Sequence, residues 1–444
     1  MSKDSQNTLK FASVSGKKVE AAFDGGHLTS DAGVLFLRAT DRRLSLIDTL
    51  SKCLSDGRHK SYVSHSLPDL MRQRVFQIAC GYEDANDCNS LRSDPAFKMS
   101  CDRLPESGAD LASQPTMSRL ENRIRRSELY RLARGFAALF IASYAKAPDG
   151  IILDIDDTCD VVHGNQQLSL FNGYYDEHCF LPLHIYEGQS GKLITTLLRP
   201  GRRPTGSEIV SILKRLVAFL RSHWPKVSII LRGDSHFSCP EVHDYCEANG
   251  LFYVLGQTGN ARLDALGAGL LAKAATLTKT KGRPIRLFRS FRYQAQSWAK
   301  PRRIVFKAEM TEKGANPRYV ATNLTSSQAG FIYEQIYCAR GRMEGFIKNH
   351  KSVLRSDRTS CHRFEANQFR LLLHSAAYVL IHALVTVGLT STQWAHAQFD
   401  TIQKGLLKVA ARIQEIGTKI KVQLPVAFPL KAIYERLCLS FAQL

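Results

Sequence analysis

Three stretches of this chain carry acids where they could hold a hard cation. Asp154 and Asp156 lie two apart in the strand-like run Ile151–Asp157, so they share one face, while Ile151, Leu153 and Ile155 take the other. The same spacing also suits a pair of exposed surface acids. Asp157 falls on the apolar side or opens a turn, which makes it the weaker ligand by geometry. Asp234 ends the run Ile229-Ile230-Leu231-Arg232-Gly233-Asp234-Ser235. A carboxylate at the C-terminal end of a strand in an α/β sheet often overlies the site, and it can equally cap the following turn. Tyr337, Arg340, Glu344 and Lys351 follow in a helical stretch. Offsets of three, seven and fourteen residues give roughly −60°, −20° and −40° on an ideal helix, a single narrow stripe. Pairing of Arg340 with Glu344, four residues apart, explains two of the four. It leaves Tyr337, Lys351 and the neighbouring Gly341 and Gly345 unexplained. Glycine inside a helix costs about 0.5–1 kcal/mol, so a closely approaching sheet or DNA backbone is expected there. Carboxylate oxygens suit Mg²⁺, with Mn²⁺ as a substitute, and two such ions can drive phosphoryl transfer.

The elements that must position these groups follow from pattern and punctuation. Pro148-Asp149-Gly150 marks a turn before the first strand. The runs Cys179–Tyr186 and Leu193–Leu198 read as a hairpin beside an edge-forming first strand. A helix to about His223, a strand at Val227–Leu231, a helix after Pro240 and a strand at Leu251–Leu255 complete the series. That order predicts an α/β fold, a mixed sheet flanked by helices. Residues 257–325 interrupt it with a helix at Ala261–Leu277 and strands at Ile285–Tyr293, Arg303–Ala308 and Tyr319–Thr322. A helix then runs to about Leu354, and Phe364–Val387 and Trp394–Ile416 also read as helical. Within the insertion, Trp298 stands in a basic, aromatic segment and could stack on an unpaired base, though burial in a core is the commoner fate of Trp.

Upstream, Leu67–Tyr82 and Met117–Tyr144 carry apolar residues at helical spacing. The second run presents Arg119, Arg123, Arg125, Arg126, Arg131 and Arg134 against only Glu121 and Glu128. Such a face suits a phosphate backbone or a solvated helix surface. The chain has 444 residues and a formal charge of +20, which points to a polyanionic partner. Its 11 cysteines form no Cys-x-x-Cys pair, so neither a zinc ribbon nor a disulfide framework is expected. No stretch is read as a membrane span and no secretory signal is evident, so a cytoplasmic, nucleoid-associated protein is expected.

Tyr337-x2-Arg340-x3-Glu344-x6-Lys351 resembles the Tyr-Arg-Glu-Lys signature of bacterial insertion-sequence transposases. Further stretches resemble the insertion-sequence group conventionally numbered thirteen-eighty: Leu153-Asp154-Ile155-Asp156-Asp157-Thr158, His163-Gly164-Asn165-Gln166, Phe171-Asn172-Gly173-Tyr174-Tyr175, Arg232-Gly233-Asp234-Ser235 and Phe364-Glu365-Ala366-Asn367-Gln368-Phe369. The resemblance covers nearly the whole chain. It implies an RNase H-like catalytic core at 148–256 and 326–390, a mainly β insertion at 257–325, a helical DNA-binding region at 1–147 and a helical C-terminal region at 391–444. It places the first acid at Asp156, two residues before Thr158, with Asp157 the other candidate. Asp234 and Glu344 complete the DDE set and the metal ligands. Tyr337, Arg340 and Lys351 are expected at phosphates. The implied activity is metal-dependent cut-and-paste transposition: binding of terminal inverted repeats, endonuclease cleavage and joining of 3′-hydroxyls to target DNA. Paired ends imply a homodimer in a synaptic complex. A nuclease or resolvase that cuts without joining, and a non-catalytic DNA-binding descendant, remain alternatives, and a hairpin intermediate stays open.

Overall fold

The computed structural model describes residues 8–442. They form two compact units, one of residues 52–55 and 121–379, the other of residues 8–51, 56–120 and 380–442. The first unit is built on a nine-stranded mixed sheet. Its strands are β1 (Gly150–Asp157), β2 (Leu183–Glu187), β3 (Leu193–Leu197), β4 (Ser228–Gly233), β5 (Phe252–Gln257), β6 (Ile285–Tyr293), β7 (Arg302–Thr311), β8 (Gly314–Ala315) and β9 (Arg318–Thr322). The order is β6-β7-β9-β5-β4-β1-β2-β3, with β8 paired to β7. β1, β4 and β5 run parallel, and β2, β3 and β9 are antiparallel to their neighbours.

β1 is therefore interior, not the edge strand expected from its hairpin neighbours. Parallel pairing with β4, in register Ile155↔Gly233, covers its other side. The expected strand Cys179–Tyr186 is two strands, Glu177–Phe180 and β2, parted around Pro182, which has no backbone N–H for the ladder. The insertion strands do not stand apart, because β9 pairs with β5 and extends the same sheet.

One face of the sheet is apolar. Ile151, Leu153, Ile155, Ile229, Leu231, Tyr253 and Leu255 pack there against Ile209, Leu213 and Leu220 of the helix Gly206–His223. That helix starts because the Thr205 hydroxyl accepts from Glu208 N (3.3 Å) while Glu208 accepts from Thr205 N (2.9 Å). The opposite face carries Asp154, Arg232 and His184, and buries polar groups against the helix Phe364–Ala383. Ser375 there meets Thr196 at 2.6 Å and His350 at 3.0 Å. Burial pushes the His184 imidazole down to about 3, so it sits neutral, edge-on to His350 at 4.9 Å.

In the other unit, helices Val34–Leu44, Leu46–Ser51, Leu67–Ala79 and Pro95–Ser100 are joined by a small sheet. The helix expected over Trp394–Ile416 is confined to Phe399–Leu407. Ala411–Ile416 is a strand, paired with Lys419–Gln423 and with Leu28–Thr29. Buried Ala411 and Ile413 alternate with exposed Arg412, and Gly417 (φ 36°) makes the turn. Residues 9–21 form an antiparallel hairpin. The segment Phe364–Gly388 is apolar enough to match a membrane span, contrary to expectation, but 78% of its apolar window is buried within the protein.

Candidate functional site

Asp156 is the penultimate residue of β1, and Asp234 directly follows β4. The parallel register brings both to the carboxyl ends of adjacent strands. The side chains of Asp154 and Asp156 leave the apolar face, as their spacing predicts. Asp154, one repeat of the pleat deeper, is fully buried and held by Arg232: Nε–Oδ1 is 2.5 Å and Nη2–Oδ2 is 2.6 Å. The third arm of Arg232, Nη1, donates to the carbonyl of Ile336 at 2.7 Å. A buried ion pair thus ties two central strands to the helical segment that brings Glu344.

That segment is not an ideal helix. It runs from Ala329–Phe331 through a π turn (Ile332–Tyr337), a 3₁₀ turn (Cys338–Arg340) and the α-helix Gly341–Lys348 to a second π turn, Asn349–Val353. The 100° phase used to define the stripe does not hold across it. Even so, Tyr337, Arg340 and Lys351 all reach the same end of the sheet. The Tyr337 hydroxyl lies over Gly256 of β5, where an added Cβ would stand 2.6 Å from it and displace it. Arg340 Nη1 donates to Asp156 Oδ2 at 2.7 Å, and its Nη2 stands 3.8 Å from Glu344 Oε1. One guanidinium therefore bridges two of the acids. Lys351 Nζ donates to the Cys159 carbonyl and to Thr158 Oγ1 (3.3 Å), and lies 3.5 Å from Asp160, a buried carboxyl pushed up to about 7 by burial. Among the described residues nothing beyond their own helix comes within 4 Å of a Cβ built on Gly341 or Gly345, so that flank is open.

Asp156 is under electrostatic pressure. Burial, Asp234 and Asp157 push Asp156 up to about 7 against the opposing pull of Arg340. Asp157 Oδ1 meets His236 Nδ1 at 3.4 Å, while its buried Oδ2 has no hydrogen-bond partner. Asp234 Oδ1 accepts from the His236 backbone N–H at 2.9 Å. Glu344 is 70% exposed. Among the described residues no three His, Cys, Asp or Glu side chains converge in metal-holding geometry. The donor chemistry nevertheless fits a hard divalent cation: every acid offers oxygen, one buried oxygen is orphaned, and the mutual repulsion calls for positive charge.

His236 and Arg232 do not stand out by spacing alone. Their signal is position, immediately beside Asp234 in Arg232-Gly233-Asp234-Ser235-His236. Trp298, a candidate stacking surface by its neighbourhood, is 5% exposed. It packs edge-on to His243 (5.2 Å) and Tyr293 (5.6 Å), with Arg302 over its ring. It is a core residue here. Trp298→Ala is expected to cost about 3–5 kcal/mol of stability with activity per folded molecule retained; an unchanged melting temperature with altered DNA processing would reverse this reading. The single basic helical face is also corrected. The helix Gln114–Arg123 ends before Arg125, which is extended (φ −104°, ψ 155°), and a new helix starts at Arg126. Arg119 donates to Thr116 Oγ1 (3.1 Å), Arg123 to the Ser55 carbonyl (3.4 Å) and Arg131 to the Cys53 carbonyl (2.8 Å), while Arg126 is exposed.

Acids at the carboxyl ends of parallel strands, beneath a helix bearing an acid and two bases, define an α/β site suited to charge-driven chemistry. The chain belongs to the transposase DDE domain group 1 family, whose model matches residues 11–444. It is thereby a transposase of the kind that cuts and transfers DNA. No curated protein matches it. Among solved structures it is similar to a cryo-EM structure of the piggyBac transposase synaptic complex with hairpin DNA, with a TM-score of 0.41 and 14% identity over 86% of this chain and 80% of that one.

Proposed function

We propose that this transposase binds the terminal inverted repeats of an insertion sequence of the thirteen-eighty group, cleaves the element ends and joins the freed 3′-hydroxyls to target DNA. The observation that carries the reading is the convergence of Asp156 and Asp234 on adjacent parallel strand ends, with Arg340 linking Asp156 to Glu344. The order β3-β2-β1-β4-β5, antiparallel then parallel, supports an RNase H-like core. Asp156, Asp234 and Glu344 would hold two Mg²⁺ ions. When bound, such ions supply the charge for in-line displacement at phosphorus and activate the attacking oxygen.

The chain's own groups supply the rest. Arg340 offsets the charge of Asp156 and would hold the scissile phosphate beside it; its planar fork suits two phosphate oxygens. Tyr337 presents a hydroxyl beside Asp234. Lys351 anchors the chain after β1 through Asp160 and the Cys159 carbonyl, which sets the direction in which Asp156 and Asp157 leave the sheet. The open flank at Gly341 and Gly345 lets a sugar-phosphate backbone approach the Glu344 helix closely. The +20 charge favours that approach, and DNA binding should weaken as salt rises. We place the action inside the cell, on DNA ends held by a homodimer. The test is incubation of purified protein with labelled element ends, a target plasmid and Mg²⁺ or Mn²⁺. Covalent joining of end to plasmid is expected; cutting without joining would leave a nuclease, and no cutting would leave a DNA-binding descendant.

A further inference from the structure

Beyond the carboxyl end of β1 stands a small sheet that the chemistry above does not use. The chain passes from β1 into Asp160–Val161, which pairs with Glu177–Phe180, which in turn pairs with Leu170–Asn172. The resulting hairpin turns at Gly173-Tyr174-Tyr175-Asp176 and displays aromatic rings to solvent. Phe171 is 56% exposed and Tyr174 84% exposed. Tyr174 and Tyr175 meet edge-on at 4.9 Å, and Phe171 and His178 at 5.6 Å. Grouped exposed aromatic rings mark a binding surface. The hairpin is within electrostatic reach of the acids, since Asp157 and Asp156 add to the burial that holds the Tyr175 hydroxyl up, at about 12.

An arginine loop closes the other side. Asn172 Nδ2 donates to the Gly201 carbonyl at 2.8 Å, and a Cβ on Gly201 would collide with the carbonyls of Leu170 and Cys179, so the loop is seated on the hairpin. From that loop exposed Arg203 donates to the carbonyls of Ser235 (3.0 Å) and His236 (3.3 Å), directly after Asp234. Arg202, 48% exposed, pairs with Glu208. Exposed rings on the hairpin and guanidinium groups on the loop seated against it thus lie on the segments that adjoin the ends of β1 and β4. Bases in a duplex are already stacked on one another, whereas unpaired bases can stack on protein rings while arginines hold the backbone.

We propose that Phe171 and Tyr174, with Arg202 and Arg203, form a stacking platform for unpaired nucleotides of the strand being processed at Asp156 and Asp234. The inference rests on the strand-cleavage reading but concerns a separate property, base stacking, that is measured without cleavage. The probe is a fluorescent short oligothymidylate, compared with a strand of equal length and charge built from abasic residues. Binding to the full chain is followed by anisotropy without divalent metal. Wild type should prefer the base-bearing strand about 10-fold. Phe171→Ala and Tyr174→Ala should each lower that ratio several-fold and together bring it close to unity, with abasic affinity unchanged. Tyr174→Trp should keep it. Both side chains are solvent-exposed, and melting curves check that the variants fold. Equal binding of the two strands by wild type, or an undiminished ratio in the double alanine variant, overturns the platform. A base preference in a protein whose cutting survives Asp156→Asn would keep the platform and discard the cleavage reading; no preference in a protein whose cutting depends on Asp156 would do the reverse.

Discussion

Asp156→Asn, Asp234→Asn and Glu344→Gln should each reduce end cleavage and joining by at least about 1,000-fold, because each removes a carboxylate that would hold the divalent cations which stabilise the developing phosphoryl charge. The substitutions preserve shape, so the fold should hold. Binding to element ends should persist or tighten, since a negative charge near phosphates is lost. Asp156 gives the sharpest case. It is pushed up to about 7 by burial and by its acidic neighbours, so an amide there relieves strain in the metal-free protein. Asp156→Asn is therefore expected to be inactive yet no less stable. Gel assays with Mg²⁺ and with Mn²⁺ measure the first property, and urea unfolding the second. If Asp156→Asn stays active while Asp157→Asn is dead, the first ligand is Asp157, whose buried Oδ2 has no hydrogen-bond partner. If all three variants cut, the three-carboxylate reading is wrong.

Arg232→Met should cost about 3–5 kcal/mol of stability. The guanidinium is 2% exposed and its partner carboxylate 0%, so removing one leaves a charge buried without compensation. The same change strips the Ile336 carbonyl of its donor, loosening the segment that carries Tyr337, Arg340 and Glu344. Asp154→Leu combined with Arg232→Met should recover much of the stability, as apolar replacements of buried ion pairs often do. It should not recover cleavage, because the link to Ile336 stays broken. Chemical denaturation of the two variants, alongside end cleavage by the folded double variant, separates these effects. A single variant within about 1 kcal/mol of wild type would mean that water enters and solvates Asp154.

Much of this site is legible before folding, for reasons tied to particular residues. Period-two alternation puts Asp154 and Asp156 on the face opposite the apolar Ile151, Leu153 and Ile155, and the structure keeps that division. Gly233 and Asp234 at the end of an apolar run sit at a strand terminus, as the punctuation implies. Pairing is less legible. Nothing in the run Ile151–Asp157 shows that β4 will cover its second edge, nor that Arg232 will meet Asp154 across 78 residues. Helical phase also misleads where the backbone is not ideal: π and 3₁₀ turns bracket the Glu344 helix, and only tertiary contacts show where Lys351 ends. The arginines from 119 to 134 read as one face because a break at Arg125 carries neither Gly nor Pro. Trp298 shows the limit of composition, since a basic and aromatic neighbourhood can cover a core as readily as a ligand.

The pairing of Leu28–Thr29 with Ala411–Ile416 has a consequence for how the protein is made. About 380 residues separate Thr29 from its partner Ala411. At ordinary rates of synthesis the first strand waits roughly 20–80 s for the second to leave the ribosome. During that wait residues 8–51 lack the segment that completes their unit, while the strands bearing Asp156 and Asp234 are made. A nascent chain can thus assemble its central sheet, whose last strand ends at Thr322, before the partner of Thr29 has been made.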